Sequence, residues 1–121
     1  MLVWYGFGPT DLGRCCVRTT EISIMRVYVT EGEGKLKEIL DLLHDNETVR
    51  GVTVFRGIAG FGPTGEVHMS SLSDLSLDLP LVIELFDEPG KMLRVMKILS
   101  TMVKPGHILS WSGKMNVDGI E

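Results

Sequence analysis

One apolar segment in the second half of the chain carries the strongest structural signal. It reads Leu79-Pro80-Leu81-Val82-Ile83-Glu84-Leu85-Phe86. The side chains of a β-strand alternate between two faces, which would place three aliphatic residues on one face and Val82 and Phe86 on the other. Pro80 stands at the start of the segment, where a missing amide hydrogen is tolerated. A sheet that contains such a strand is apolar on both faces, and both faces must be covered.

The segments on either side predict three further strands and two helices. Apolar residues alternate in the strands and recur every three or four positions in the helices. Asp87 is predicted as the N-cap of the second helix, with Pro89 in its first turn. We expect strands over 21–30, 49–55, 79–86 and 107–115 and helices over 35–45 and 87–103. This order is that of an α+β, ferredoxin-like βαββαβ sandwich.

The two helices of such a sandwich cover one face of the sheet and leave the other face open. The first predicted strand, like the third, carries apolar residues on both faces, so it also needs cover on the open face. Self-association through the open face would solve it, so we expect a homo-oligomer. Arg26 and Glu84 would face each other across two neighbouring antiparallel strands, and we expect a pair that the oligomer buries; the alternative is that either residue lines a ligand cleft.

A glycine-rich segment after the second predicted strand is the candidate functional site. It reads Arg56-Gly57-Ile58-Ala59-Gly60-Phe61-Gly62-Pro63-Thr64-Gly65-Glu66-Val67-His68. Glycines allow a ligand to approach the backbone closely, and bare amides donate to anions. Gly62 is expected to adopt a positive φ. The same five residues, Gly-Phe-Gly-Pro-Thr, also occur at 6–10, which is too short for a structural repeat.

Length, charge and composition narrow the class of protein. The 121 residues suit one domain, which we place at 20–116 between an irregular extension (1–19) and a polar tail (117–121). The net charge is −4 and there is no long basic run, so nucleic-acid binding is not indicated. No apolar stretch is long enough to enter a membrane as a span. Two adjacent cysteines, Cys15 and Cys16, are typical of free thiols in a cytoplasmic protein.

Several of these segments together resemble a known family. The strand at 24–29, the string RGIAGFG at 56–62, the pair Val67-His68 and the string DLPLVIE at 78–84 are similar to domain of unknown function 190, a group of small PII-like proteins. The resemblance covers residues 21–114, which is nearly the whole predicted domain.

The resemblance implies a trimer like that of the nitrogen-signalling PII proteins, with a long loop after the second strand that contacts partner proteins, here residues 57–78. It also implies that a small effector binds in clefts between subunits near the base of that loop; an adenine nucleotide is one candidate. Carried over to this sequence, the ligand-binding residues would be Arg56, Gly57, Gly60, Phe61, Gly62, His68 and Lys114.

Two other classes of function remain open from the sequence. The first is a metal-handling protein of the related CutA type, which shares the trimer architecture but would need a cluster of histidines or cysteines. His44, His68 and His107 are scattered along the chain without the spacing of metal ligands. The second is a small enzyme, for which no spacing of nucleophile, base and acid stands out. We therefore expect a regulatory protein without catalysis.

Overall fold

The computed structural model describes residues 17–62, 67–69 and 78–120. The expectations for the chain before residue 17 and for most of the connector at 63–77 lie outside these residues. The elements in chain order are β1 (Val17–Thr30), α1 (Leu36–Asp41), β2 (Gly51–Arg56), β3 (Ala59–Phe61), β4 (Val67–Met69), β5 (Pro80–Asp87), α2 (Pro89–Leu99) and β6 (Ile108–Ile120). A 3-10 turn (Glu31–Glu33) follows β1, and a π-turn (Leu42–Asn46) prolongs α1.

Four strands form one antiparallel sheet in the order β2-β5-β1-β6, and β3 pairs with β4 in a separate two-stranded ribbon. Since β5 lies antiparallel between β1 and β2, those two strands run parallel and α1 connects them. The same relation joins β5 and β6 through α2, with β1 between them. These two interleaved β-α-β units confirm the predicted α+β, ferredoxin-like fold.

The hydrophobic core lies between the helices and one face of the sheet. The expected alternation holds, because residues of β1 and β5 that share this face are buried together with one stripe of each helix. The core side chains are Met25, Val27, Val29, Ile39, Leu43, Leu81, Ile83, Leu85, Met92, Val95, Leu99 and Val103. Both helices contribute to this one cluster, so they cover the same face, as expected.

The opposite face of the sheet, which we call the open face, carries large apolar side chains that the helices do not cover. Phe55, Leu109 and Trp111 are among its most exposed members. Arg26 and Glu84 are cross-strand partners in its centre, and Arg26 Nε donates to Glu84 Oε1 over 2.8 Å. The predicted Arg26–Glu84 pair is therefore confirmed. The hydrogen bond that Arg26 donates to Glu84, with a smaller effect from its hydrogen bond with Tyr28, raises the pKa of Arg26.

The strands extend further than the apolar pattern indicates. β1 begins at Val17, within the segment assigned to the N-terminal extension, and β6 continues to Ile120, within the segment assigned to the polar tail. The two strands pair with each other over this region, with an irregularity between Val17 and Thr19. Polar residues such as Thr19 and Asn116 are cross-strand partners there, so backbone pairing lengthens both strands without an apolar signal.

The N-cap of α2 is Glu88 and not Asp87 as the sequence predicted. The Glu88 carboxylate accepts hydrogen bonds from Lys91 N (2.7 Å) and Gly90 N (3.2 Å), and Pro89 occupies the first turn. Asp87 is instead the last residue of β5, and its buried side chain accepts from Arg50 N, Glu88 N and Lys91 Nζ. The prediction was wrong because either of two consecutive acidic residues could cap this helix. Asp87 still belongs to β5 and its side chain is buried, so the next residue, Glu88, caps α2.

Candidate functional site

The predicted loop begins where β2, an edge strand, ends at Arg56. Arg56 pairs with Leu81 near the start of β5, and the next residue, Gly57, donates its amide hydrogen to Pro80 O over 2.7 Å. A Cβ atom on Gly57 would lie 2.9 Å from Pro80 Cγ, and one on Gly60 would lie 3.3 Å from it. Close contact with Pro80 therefore explains why glycine stands at 57, and it holds the beginning of the loop against the sheet.

Beyond Gly57 the chain forms the β3–β4 ribbon, which stands outside the main sheet. Gly60 is the cross-strand partner of His68, so the structure brings the backbones of these two predicted site residues together. Phe61 and Ile58 are 75% and 80% exposed, which is unusual for side chains of this size. The expectation for Gly62 was wrong, because its φ is not positive; a Cβ atom there would meet no other atom within 4 Å.

Arg56 forms an ion pair that the sequence did not indicate. Its Nη2 lies 3.0 Å from Oε2 of Glu31, in the 3-10 turn after β1. The Arg56 side chain is 64% exposed, whereas the Glu31 side chain is only 21% exposed. The other carboxylate oxygen, Glu31 Oε1, is buried and has no hydrogen-bond partner. The guanidinium is thus presented to solvent at the start of the loop, beside a partly buried acid.

Two further basic side chains, a lysine and a histidine, lie at the same end of the sheet. The turn before β6 contains Lys104 and His107, and His107 O accepts from Tyr28 N over 2.9 Å. β6 then begins with Ile108 opposite Val27, near the end of β1. Arg56 belongs to one edge strand of the sheet, and this turn leads into the other. The sequence alone did not predict that Lys104 and His107 lie here, because only the order of the strands places the turn before β6 level with the end of β2.

Lys114 is the one predicted site residue that the structure separates from the loop base, by which we mean Arg56, Gly57, Gly60, Phe61 and Gly62. It lies on β6 opposite Glu21, and its Nζ is 3.9 Å from Glu21 Oε2. Arg56 and Val29 of β1 are both paired with Leu81 of β5, so Arg56 lies level with Val29. Lys114 lies level with Glu21, and the eight residues of β1 between these two levels span about 26 Å. Within one subunit, Lys114 cannot join a ligand held at the loop base.

The N-terminus of α2 is not an anion site in this chain. Its first free amides are satisfied by the Glu88 carboxylate, and Asp87 adds a second negative charge beside them. Burial alone would raise the pKa of Asp87, but hydrogen bonds from Lys91, Glu88 N and Arg50 N outweigh that effect and lower it. Asp87 is therefore ionised at neutral pH and ties the start of β2 to α2.

This arrangement predicts a stability effect that depends on pH. We expect Asp87→Asn to cost about 1–3 kcal/mol of unfolding free energy at pH 7, because a buried acceptor of three hydrogen bonds is lost. The folded-state pKa is lowered, so the contribution is fully present above the unfolded value of about 3.9 and is lost as the pH falls through the folded value. The variant should lose less stability than the wild type in that acidic range.

Urea unfolding at a series of pH values measures both effects. Asp41→Asn is the matched control, because Asp41 is exposed and its ion pair with Lys37 lies on the surface. Equal losses in the two variants at pH 7 would contradict the role assigned to Asp87.

In residues 17–62, 67–69 and 78–120, no group of three or more His, Cys, Asp or Glu side chains could hold a metal ion. In the same part of the chain, no helix is long and apolar enough to cross a membrane.

The fold defined by this sheet and these helices is that of the PII-like proteins. The chain aligns with CPII, a nitrogen regulatory PII-like protein from Thiomonas intermedia K12, with a TM-score of 0.63 and 15% identity over 84% of this chain and 94% of that chain. A putative PII-like signaling protein from Thermus thermophilus gives a TM-score of 0.56 at 11% identity, covering 82% and 91%. The divalent ion tolerance protein CutA1 from Ehrlichia chaffeensis gives 0.53 at 13%, covering 80% and 84%.

The chain belongs to the DUF190 family, described as "Uncharacterized ACR, COG1993", whose profile matches residues 22–115. This confirms the family that the strings at 56–62 and 78–84 indicated. A UPF0166 protein of Aquifex aeolicus is 34% identical over 86 residues, which cover 67% of this chain and 81% of that protein. A UPF0166 protein of Methanocaldococcus jannaschii is 35% identical over 86 residues, covering 67% and 78%.

Proposed function

We propose that this protein is a PII-like regulatory module without catalytic activity. In this proposal it is a homotrimer that binds a small effector in clefts between subunits and a partner protein through the loop at 57–78. The single observation that carries the proposal is the loop base. An exposed guanidinium, Arg56, ends an edge strand, and the exposed side chains Ile58 and Phe61 follow it directly, at the beginning of the β3–β4 ribbon.

The open face supports the trimer. On the side away from the helices, large apolar side chains are exposed on both edge strands of the sheet: Phe55 on β2, and Leu109 and Trp111 on β6. Val82 and Phe86 of β5, on the same side, are half-buried. In a ring of three subunits each contact is heterologous, so one edge of a sheet adjoins the opposite edge of the next. Such a ring would bring Arg56 of one subunit towards Lys104 and His107 of its neighbour, since all three lie at the same end of the sheet.

The residues of this end fit an anionic effector of modest charge. Arg56 offers guanidinium donors to a phosphate or carboxylate, and the adjoining subunit would add the positive charge of Lys104 and a ring nitrogen of His107. Glu31 beside Arg56 opposes a high negative charge at this site. CPII, which has the same fold, was solved with ADP, AMP and bicarbonate bound, and these molecules are suitable first probes.

The β3–β4 ribbon supports partner binding. Ile58 and Phe61 are two large apolar side chains that are mostly exposed, and they lie only three residues apart in the chain. Exposed aromatic and aliphatic side chains on a protruding element are typical anchors of protein interfaces. Lys114, in the middle of β6 and far from the loop base, is assigned no role in this part of the proposal.

Ligand binding at the loop base is tested by a thermal-shift screen with AMP, ADP, ATP, cyclic AMP and bicarbonate. A ligand at about a hundred times its dissociation constant adds roughly 2.7 kcal/mol to the stability of the native state, so the unfolding midpoint should rise. Gly62→Val should leave the midpoint of the free protein unchanged, because the site is open and its φ is ordinary, but it should remove the ligand-induced rise by filling the approach to the backbone.

Arg56→Gln should reduce the rise as well, and Arg94→Gln is its matched control on the outer surface of α2. If no probe shifts the midpoint and calorimetry is flat at millimolar concentrations, the effector part of the proposal fails. The loop would then be left as a protein-contact element.

The second candidate is a metal-handling trimer of the CutA type, favoured by the similarity of the fold to CutA1. Stoichiometric copper or zinc in the purified protein would support it. Metal content at background level, together with a nucleotide-induced rise in the midpoint, would favour the regulatory module.

A further inference from the structure

Glu31 is poorly satisfied for a partly buried acid. Oε2 contacts Arg56 at 3.0 Å, whereas Oε1 is buried without a partner. A buried acceptor that makes no hydrogen bond costs stability, and the cost is larger for a charged group. The stability of the fold therefore does not explain why a carboxylate stands at position 31. It lies instead directly behind the one guanidinium that the loop base presents to solvent.

From this geometry we infer that Glu31 is a selectivity residue: it serves as the internal counter-anion of Arg56 and sets the upper limit of negative charge that the loop base accepts. This inference rests on the proposed effector site. Arg56 has five N–H donors, and the recorded contact to Glu31 involves Nη2 alone, so the guanidinium retains donors for a ligand. Any ligand bound there stands within a few ångströms of the Glu31 charge, and that charge repels it.

The repulsion depends on the charge of the ligand. In the partly buried setting of Glu31, where the effective dielectric constant is below that of water, each added negative charge on the ligand meets the same fixed carboxylate. A monophosphate loses little affinity, and a triphosphate loses more. Glu31 therefore biases the site towards a nucleotide monophosphate or a single small anion.

A purely structural role for Glu31 predicts the opposite result. If Glu31 only held Arg56 in place, its removal would loosen the guanidinium and weaken every anionic ligand. If Glu31 limits charge, its neutralisation strengthens binding, and strengthens it most for the most charged ligand. The sign of the change separates the two roles.

The test is isothermal titration calorimetry of Glu31→Gln with AMP, ADP, ATP and inorganic pyrophosphate at fixed salt. We expect the affinity for ATP to rise by about tenfold or more and that for AMP by about threefold or less, as screened repulsion at such distances implies. The unfolding midpoint of the free variant should equal or exceed that of the wild type, because a poorly satisfied buried charge is removed. Glu38→Gln, an exposed acid of α1, makes the same change in net charge and should alter none of these affinities.

The double variant Glu31→Gln, Arg56→Gln shows whether the gain passes through Arg56. It should bind ATP no more tightly than Arg56→Gln alone. Glu31→Ala is tested alongside, so that the comparison does not depend on how one side chain packs. Reduced or unchanged affinity for ATP in both single variants overturns the inference. If the wild type binds a probe and only the charge trend is missing, the proposed effector site stands; if neither the wild type nor the variants bind any probe, both fail.

Discussion

Val27→Asp is expected to unfold the subunit. Val27 is completely buried on the helix-covered face of β1, between its cross-strand partners Ile83 and Ile108. A carboxylate there would have no partner, and burying it costs several kcal/mol. The total stability of a domain is about 5–15 kcal/mol, so this single change removes a large part of it. Circular dichroism and urea unfolding should show a protein that is unfolded, or that unfolds at much lower urea.

The matched control is Val17→Asp, the same substitution in the same strand. Val17 is the first residue of β1 and is exposed, so the change should cost less than about 1 kcal/mol. A cooperative transition of Val27→Asp within about 1 kcal/mol of the wild type would contradict the position of Val27 in the core.

Leu109→Lys is expected to leave the fold intact and to dissociate the oligomer. Leu109 lies on the open face opposite Arg26 and is 49% exposed in the isolated subunit. In the proposed trimer it would be covered, and the lysine would add a second cation beside Arg26 at three equivalent positions. An unpaired charge in an apolar interface costs several kcal/mol, which is more than a hundredfold in the association constant.

Light scattering coupled to size exclusion measures the result. At micromolar concentration the wild type should have three times the subunit mass of 13.4 kDa, and the variant should approach the mass of one subunit. Leu93→Lys is the matched control, because Leu93 is 67% exposed on α2, on the other side of the molecule, and should leave the mass unchanged. A wild type that is a stable monomer would refute the trimer. A Leu109→Lys variant that stays trimeric would refute the open face as the interface.

The sheet and its covered face could be predicted because their signal is local. Alternation along β1 and β5, and the spacing of apolar residues in α1 and α2, follow directly from the geometry of strands and helices. The cross-strand pair of Arg26 and Glu84 could be predicted too, because the topology sets which strands are neighbours. The outer ends of β1 and β6, at Val17 and Ile120, could not be predicted, because they depend on pairing between segments that are distant in sequence.

The candidate site was less predictable. The glycines of the sequence indicated the loop base, but they have different surroundings in the structure. Gly57 and Gly60 pack against Pro80, whereas a side chain at Gly62 would meet open space. The Glu31–Arg56 pair joins residues from two different elements, and no local pattern marks it. The same holds for the position of Lys104 and His107 at that end of the sheet.

Local sequence, then, was sufficient to predict the class of fold and to predict that the second apolar face of the sheet must be covered. Both follow from backbone geometry and from the free energy of burying apolar surface, which each segment carries along the chain. The charge environment of Arg56, the capping of α2 by Glu88 and the separation of Lys114 from the loop base required the folded chain. Hydrogen bonds and ion pairs act over a few ångströms between groups that are distant in sequence, so only the assembled structure determines which of them meet.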